Sequence, residues 1–256
     1  MCTDCGCSDI KTSRIDGESV ALKHAQESMV SEHQGARLEI SIMRSILEKN
    51  NHQAEHNRQH LATHQIFCTN WISAPGSGKT SLLERFIADF VSHCRIWVIE
   101  GDLQTENDAN RIRKAGAEAV QINTGSACHL DAEMVHHALH KLDMHENGLL
   151  FIENVGNMVC PTAFDLGEAL KVAVISTTEG EDKPVKYPDL ILASQVLLIN
   201  KIDLIPYLDY DLEKTIRYAK QVNPDIHIFP VSAKTGEGLA AFYDWFTSLD
   251  VNHSQK

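Results

Sequence analysis

The sequence predicts an α/β fold: a mostly parallel sheet with helices on both faces, preceded by a cysteine-rich tip and a long helix. Three observations predict it. From Gln65 onward, apolar runs of strand length alternate with helical stretches, the pattern that builds a parallel sheet covered on both sides. A glycine-rich loop stands between the first run and the first helix, where a phosphate-binding loop belongs. The other motifs also follow the ends of apolar runs, and such sheets bind ligands at the carboxyl ends of their strands.

Taken in order, the chain divides into three parts. Residues 1–35 are expected to form a cysteine-rich metal-binding tip (residues 1–8) and a polar, flexible tether of mixed charge. In residues 36–64, Leu38, Ile42, Ile46 and Leu61 recur around a polar, His-rich stretch, which predicts one long helix packed partly on the main domain. Residues 65–250 make that domain. Its expected strands are IFCTNWIS (66–73), RIWVIE (95–100), EAVQI (118–122), GLLFIE (148–153), VAVIS (172–176), QVLLIN (195–200) and IHIFPVS (226–232). Helices are expected between most of them, for example over 81–92 and 131–143. No internal repeat is visible.

A chain of 256 residues has room for one α/β core with an appendage. Its longest apolar runs are too short to span a bilayer, and its first twenty residues lack the apolar core of a secretory signal. The expected location is therefore cytoplasmic, with no membrane partner. The net charge is −12, from 35 acidic against 23 basic residues. Without an advertised basic face, nucleic acid is excluded as a partner. A nucleotide can still be held by backbone amides and one or two cations. Of seven cysteines, Cys2, Cys5 and Cys7 crowd together, which in a reducing compartment argues for metal or redox work. Cys68 and Cys94 sit in or beside apolar runs and read as small buried hydrophobes.

The segment Ser73-Ala74-Pro75-Gly76-Ser77-Gly78-Lys79-Thr80 follows a strand and opens a helix. A phosphate loop needs glycines so that amide N–H groups can curl round phosphate oxygens. It also needs a lysine for the β- and γ-phosphates and a hydroxyl for Mg²⁺. Gly76, Ser77, Gly78, Lys79, Thr80 and the following Ser81 supply this P-loop, although Ser73 stands in the usual first glycine position. Downstream, Asn200-Lys201-Ile202-Asp203 ends another strand. Asp203 can accept two N–H groups of guanine that adenine does not offer as a pair, Asn200 braces the loop and Lys201 lies over the base. Ser232-Ala233-Lys234 follows the last strand, where an amide can meet the guanine oxygen. Together the motifs select GTP. Asp102 and Glu153, at two strand ends, are the candidates for holding Mg²⁺ and orienting the attacking water. With Lys79 they form the catalytic set, since phosphoryl transfer asks mainly for positioning and charge neutralisation. No glutamine or arginine finger can be assigned, so slow intrinsic turnover is expected.

Two metal constellations stand out. Cys2, Cys5 and Cys7 bring three soft thiolates within one turn of chain, suited to Ni²⁺ or Zn²⁺. With Met1 removed, the new α-amine would be a fourth donor. Cys128 and His129, with Cys160 far along the chain, form the second, one ligand short of a closed tetrahedral site. Cys128 is expected at the N-terminus of a helix beginning near Leu130, where the dipole favours thiolate. Cys160 lies four residues past Gly156, on the loop expected to sense the γ-phosphate. His52, His56, His60 and His64 drift only about 40° per step on a helix. With His136, His137 and His140 they read as a solvated polar face, an accessory nickel store being the alternative.

These residues resemble the HypB family, GTPases that act in nickel insertion into nickel–iron hydrogenases. The resemblance runs from about Ala36 to Leu249 and is carried by SAPGSGKTSLLE, EGDLQTENDANRI, TGSACHLDAEMV, FIENVGNMVCPTAFDLGE, STTEGEDKPVKYP and LINKIDL. A serine in place of the first P-loop glycine is usual in HypB-like sequences. The resemblance implies a SIMIBI-class P-loop GTPase, related to urease accessory and signal-recognition GTPases, that works as a nucleotide- or metal-dependent homodimer. It implies a nickel or zinc site of Cys128, His129 and Cys160 near the dimer interface, and a separate tight nickel site of Cys2, Cys5 and Cys7. The implied partners are a HypA-type accessory protein, the hydrogenase large-subunit precursor and, in some organisms, a His-rich prolyl isomerase. A urease accessory GTPase fits less well, because that family opens with a short His-rich run and then the phosphate loop. A metal store with a vestigial GTPase site and a small-molecule kinase are the rivals from other classes.

Overall fold

The computed structural model describes residues 12–15, 18–21, 32–102, 107–144 and 147–253. The described strands are β1 (Thr12–Ile15), β2 (Glu18–Ala21), β3 (Ile66–Ser73), β4 (Arg95–Asp102), β5 (Glu118–Asn123), β6 (Gly148–Glu153), β7 (Leu170–Ser176), β8 (Val196–Asn200) and β9 (His227–Pro230). The helices are α1 (Glu32–Thr63), α2 (Lys79–Phe90), α3 (Asn107–Ala115), α4 (Ala132–Leu139), α5 (Lys183–Lys186), α6 (Pro188–Ala193), α7 (Leu212–Val222) and α8 (Leu239–His253).

One sheet runs in the order β2-β1-β5-β4-β6-β3-β7-β8-β9. From β5 to β9 neighbouring strands are parallel, so the seven strands expected from the apolar runs form one parallel sheet. The side-chain period of a strand then sorts residues to two faces. Phe67, Trp71, Val98, Phe151 and Val172 pack with Leu83, Phe86, Ile112, Phe242 and Phe246 of α2, α3 and α8. On the opposite face, Cys68, Ile99, Leu150 and Ile152 meet Leu61 of α1 and Met134, Val135 and Leu139 of α4. Beside them, Ile72, Ala173, Ile175, Leu197 and Ile199 meet Leu190 and Ile191 of α6 and Ala219 of α7. Pro230 is tolerated because β9 is an edge strand, where a missing ladder donor does little harm. Among the described residues, no helix is long and apolar enough to cross a membrane.

Two readings of the N-terminal part change. Residues expected as tether include β1 and β2, which pair antiparallel with each other and with β5. The open edge of β5 presents unpaired backbone groups that such a strand satisfies. The face of α1 also differs from the apolar spacing. Ile46 is 48% exposed, whereas Asn50, Ala54, Asn57 and Leu61 are buried and Leu47 packs on the core. Asparagines are half of the buried stripe, so counting apolar residues alone placed it wrongly.

Candidate nucleotide and metal site

The nucleotide-facing loops are tied to one another before any ligand is considered. Gly76 and Gly78 adopt φ of 78° and 92°, values that L side chains rarely take. A Cβ on Gly78 would fall 2.5 Å from Asn200 Nδ2, so this position must be glycine for β8 to reach the phosphate loop. Buried Asn200 donates from Nδ2 to the Ser77 carbonyl at 2.9 Å and accepts the Ala233 N–H on Oδ1 at 3.1 Å. Lys201 Nζ donates to the Gly76 carbonyl at 2.6 Å. Ser232 Oγ donates to Asp203 Oδ1 at 2.6 Å and accepts the Thr235 N–H at 3.1 Å, which fixes the direction of the carboxylate. A cavity of about 770 Å³ is lined by Gly78, Ser81, Arg111, Asn200, Lys201, Asp203, Ala233 and Lys234. That volume is within the usual range for a small-molecule site.

At the phosphate end, the buried Lys79 ammonium lies 3.1 Å from Glu153 Oε1 and donates to the Asn154 carbonyl. Thr80 Oγ1 donates to the same Glu153 oxygen at 2.7 Å. The ladder between β4 and β6 places Glu100 opposite Glu153. Burial, and then the negative charge of Glu153, push the Glu100 carboxyl well above its ordinary range. Glu100 Oε2 and Glu153 Oε2 are both buried without a hydrogen-bond partner. Glu153, a buried carboxylate that accepts the Thr80 hydroxyl, is a hard oxygen donor of the kind Mg²⁺ takes, so these residues fit that ion. Asp102 ends β4, half-buried, with its carbonyl accepting the Thr124 N–H at 3.0 Å.

The fold also gathers the second metal constellation. One ligand atom from each of Cys128, His129 and Cys160 lies within 4.8 Å of the others, and Cys128 Sγ is 3.7 Å from His129 Nδ1. The His129 ring stacks on Phe164 at 3.9 Å between centroids. Burial pushes its pKa down to about 4, so it is the neutral imidazole, the ligating form, near pH 7. One local expectation fails. Helix α4 begins at Ala132, capped by Asp131, whose carboxylate accepts the Met134 N–H at 2.8 Å. Cys128 stands ahead of that cap, and a helix dipole fades beyond the first turn. Cys2, Cys5 and Cys7 lie outside the described residues. Cys68 is buried with its thiol pushed up by burial, and half-buried Cys94 packs beside the core.

The CobW/HypB/UreG nucleotide-binding domain model matches residues 67–230. The hydrogenase maturation factor HypB of Azotobacter vinelandii is 56% identical over 206 residues, covering 80% of this chain and 68% of that protein. The chain belongs to the HypB family. The crystal structure of HypB from Helicobacter pylori in complex with nickel matches with a TM-score of 0.76 at 35% identity, covering 81% of this chain and 98% of that one. The signal recognition particle 54 kDa protein of Aeropyrum pernix in complex with GDP matches with a TM-score of 0.51 at 13% identity over 66% and 42%. At that identity it shows a shared fold alone.

Three residues of this HypB-family site escaped the motifs. Glu100 stands two residues before Asp102 on one strand, so the period of two puts both on one face; that parity was the available signal. Arg111 borders the cavity, with Nη2 2.6 Å from Glu84 Oε2 and 3.1 Å from Ser81 Oγ, and nothing local marks it. Asn154 joins the two halves of the site. Its Oδ1 accepts the N–H groups of Leu130 and Val155 at 3.2 and 3.0 Å, its Nδ2 donates to Asn70 at 3.2 Å, and its carbonyl takes Lys79. Helix α1 grips the same region. Asn50 accepts the Ala132 N–H at 2.9 Å and donates to the Asp165 carbonyl at 2.7 Å, and Asn57 donates to the carbonyls of Ala132 and Leu166.

Proposed function

We propose that this HypB-family chain is a GTP-hydrolysing nickel metallochaperone that supports nickel insertion into the hydrogenase large subunit. One observation carries the reading. Residues 153–160 begin at the carboxylate that holds Lys79 and Thr80 and end at Cys160, a member of the Cys/His cluster. Gly156 lies between them, and a Cβ there would be 3.1 Å from Pro75 Cγ, so the segment packs directly on the phosphate loop. A shift of the loop at the terminal phosphate is therefore a shift of one metal-ligating thiol.

In this reading Asp203 and the Ala233 amide choose guanine, with Lys201 over the base. Gly76, Ser77, Gly78, Lys79 and Ser81 cradle the phosphates, and Glu153 orients the attacking water. Thr80 and Asp102 would hold Mg²⁺, which would supply charge neutralisation for the phosphoryl transfer. Intrinsic turnover is slow. Cys128, His129 and Cys160 carry nickel or zinc as cargo and leave a coordination position for a second copy of the chain. Cys2, Cys5 and Cys7 form a separate soft site. The protein acts in the cytoplasm with a HypA-type accessory protein and the hydrogenase large-subunit precursor, and in some settings a His-rich prolyl isomerase.

The test is Ni²⁺ affinity measured with GDP and with a non-hydrolysable GTP analogue. A ratio of about 5–150-fold is expected for coupled sites, and equal affinities remove the coupling. A GTPase assay with Lys79→Ala as control addresses the enzyme. Wild-type turnover no faster than that of the variant would leave a metal-binding protein without the proposed engine.

A further inference from the structure

Periodicity alone favours a solvated polar face for the histidines of α1, but packing changes their setting. Helix α1 lies along α4 and presents His60 to His140, with ring centroids 5.6 Å apart. His136 on α4 and His140, which caps its C-terminus, are one turn apart, with centroids at 4.5 Å and Nε2 atoms 3.2 Å apart. His60 also neighbours His64, just past the end of α1, at 4.8 Å between centroids. Residues from two helices therefore form one continuous run of imidazoles, His64-His60-His140-His136.

Two nitrogens bound to one metal at about 2.0–2.1 Å, at tetrahedral or right angles, lie roughly 2.9–3.4 Å apart. The His136–His140 separation is thus already a chelating bite, while His60, whose ring nitrogens do not lie within 4.8 Å of both, joins it by turning its ring about the side-chain bonds. We propose that the α1–α4 seam carries a second, histidine-only site for a borderline divalent cation, with His136 and His140 as its clamp and His60 as the third donor. Imidazole donors without a carboxylate or thiolate select Ni²⁺, Zn²⁺ or Cu²⁺ over Mg²⁺ or Ca²⁺. His64, half-buried, is the nearest candidate for a fourth position. The site is built from α1 and the C-terminal end of α4, whereas Cys128 and His129 precede that helix. It stands or falls separately from the coupling between nucleotide and Cys160.

The experiment uses the full chain with Cys2, Cys5, Cys7, Cys128 and Cys160 changed to serine, and Ni²⁺ as the probe in equilibrium dialysis. Retained GTP binding and an unchanged thermal transition check folding of every histidine variant, since none of these histidines lines the nucleotide cavity. One Ni²⁺ per chain is expected to remain. Adding His136→Ala with His140→Ala, or His60→Ala alone, should weaken it at least ~10-fold. His93, after α2, and His227, on β9, pack against Phe90 and Trp245 and not against another imidazole; they are the control pair, and their removal should change affinity less than ~2-fold. Failure of the chain with those five cysteines replaced to bind Ni²⁺ overturns the proposal. So does an equal loss from the control pair, or indifference to His60→Ala.

Discussion

Asn154 accepts the backbone N–H of Leu130 on its side-chain oxygen at 3.2 Å. Leu130 follows directly on Cys128 and His129, and the carbonyl of the same asparagine takes the phosphate-loop lysine. A single buried residue therefore bridges the Cys128–His129 loop, through its side chain, and the glycine-rich loop, through its backbone carbonyl.

Replacing Asn154 with alanine keeps the backbone carbonyl but leaves the Leu130 N–H and the Asn70 side chain without their partner. Each buried orphan costs about 1–3 kcal/mol, so urea denaturation should show a loss of that order. The sharper readout is coupling. The ratio of Ni²⁺ affinities between GDP and GTP-analogue states should fall toward one while GDP affinity itself holds. An unchanged ratio would show that Asn154 only supports the fold.

Asp203 is aimed by Ser232 into the cavity. In Asp203→Asn the amide offers a donor to the guanine amine, a clash of like groups, yet suits the 2-oxo group of xanthine. GTP affinity should fall about 10- to 100-fold, from roughly 1–3 kcal/mol for the mispaired polar group, and xanthosine triphosphate should gain. Competition between the two nucleotides in a displacement assay measures both changes together.

Gly167 adopts φ of 93°, and a Cβ there would fall 2.7 Å from the Ala54 carbonyl oxygen and 2.8 Å from Asn57 Cβ on α1. Gly167→Ala should push α1 away from the loop that follows Cys160, at a cost of about 1–3 kcal/mol. Denaturation midpoints check this. Limited proteolysis across α1 should accelerate in the variant.

Glu168 is buried beneath Asn70 and Lys171, and burial raises its pKa above the ordinary 4.5 despite the neighbouring ammonium. With the folded value above the unfolded one, its contribution is complete below pH 4.5 and is lost as pH rises through the folded value. Glu168→Gln cannot titrate. Its stability deficit relative to wild type should therefore shrink as pH rises through that window. Urea unfolding across a pH series would count against this if the deficit widened.

The seven parallel strands were legible because a strand buried on both faces is written as a largely apolar run. Ile66–Ser73 and Gly148–Glu153 coincide with their expected runs for this reason. The glycine-rich turn was legible because Gly76 and Gly78 serve a local backbone need. The contact face of α1 was not, since Asn50 and Asn57 are buried by satisfying carbonyls and amides of other segments. Nor was the environment of Cys128, which depended on where Asp131 capped the next helix.

The sequence by itself determined what is local: strand and helix periodicity, turn glycines, and which side chains could ligate or hydrogen-bond. Tertiary structure decided which of them meet. The insertion of β6 between β4 and β3 sets Glu100 against Glu153 and puts Asn154 within reach of both Lys79 and Leu130. The docking of α1 on α4 sets His60 against His140, and Cys160 reaches Cys128 and His129 because its loop leaves the end of β6. The physical reason is that strand order and helix docking are settled by burying apolar faces summed over the whole sheet. No short window of residues records that sum.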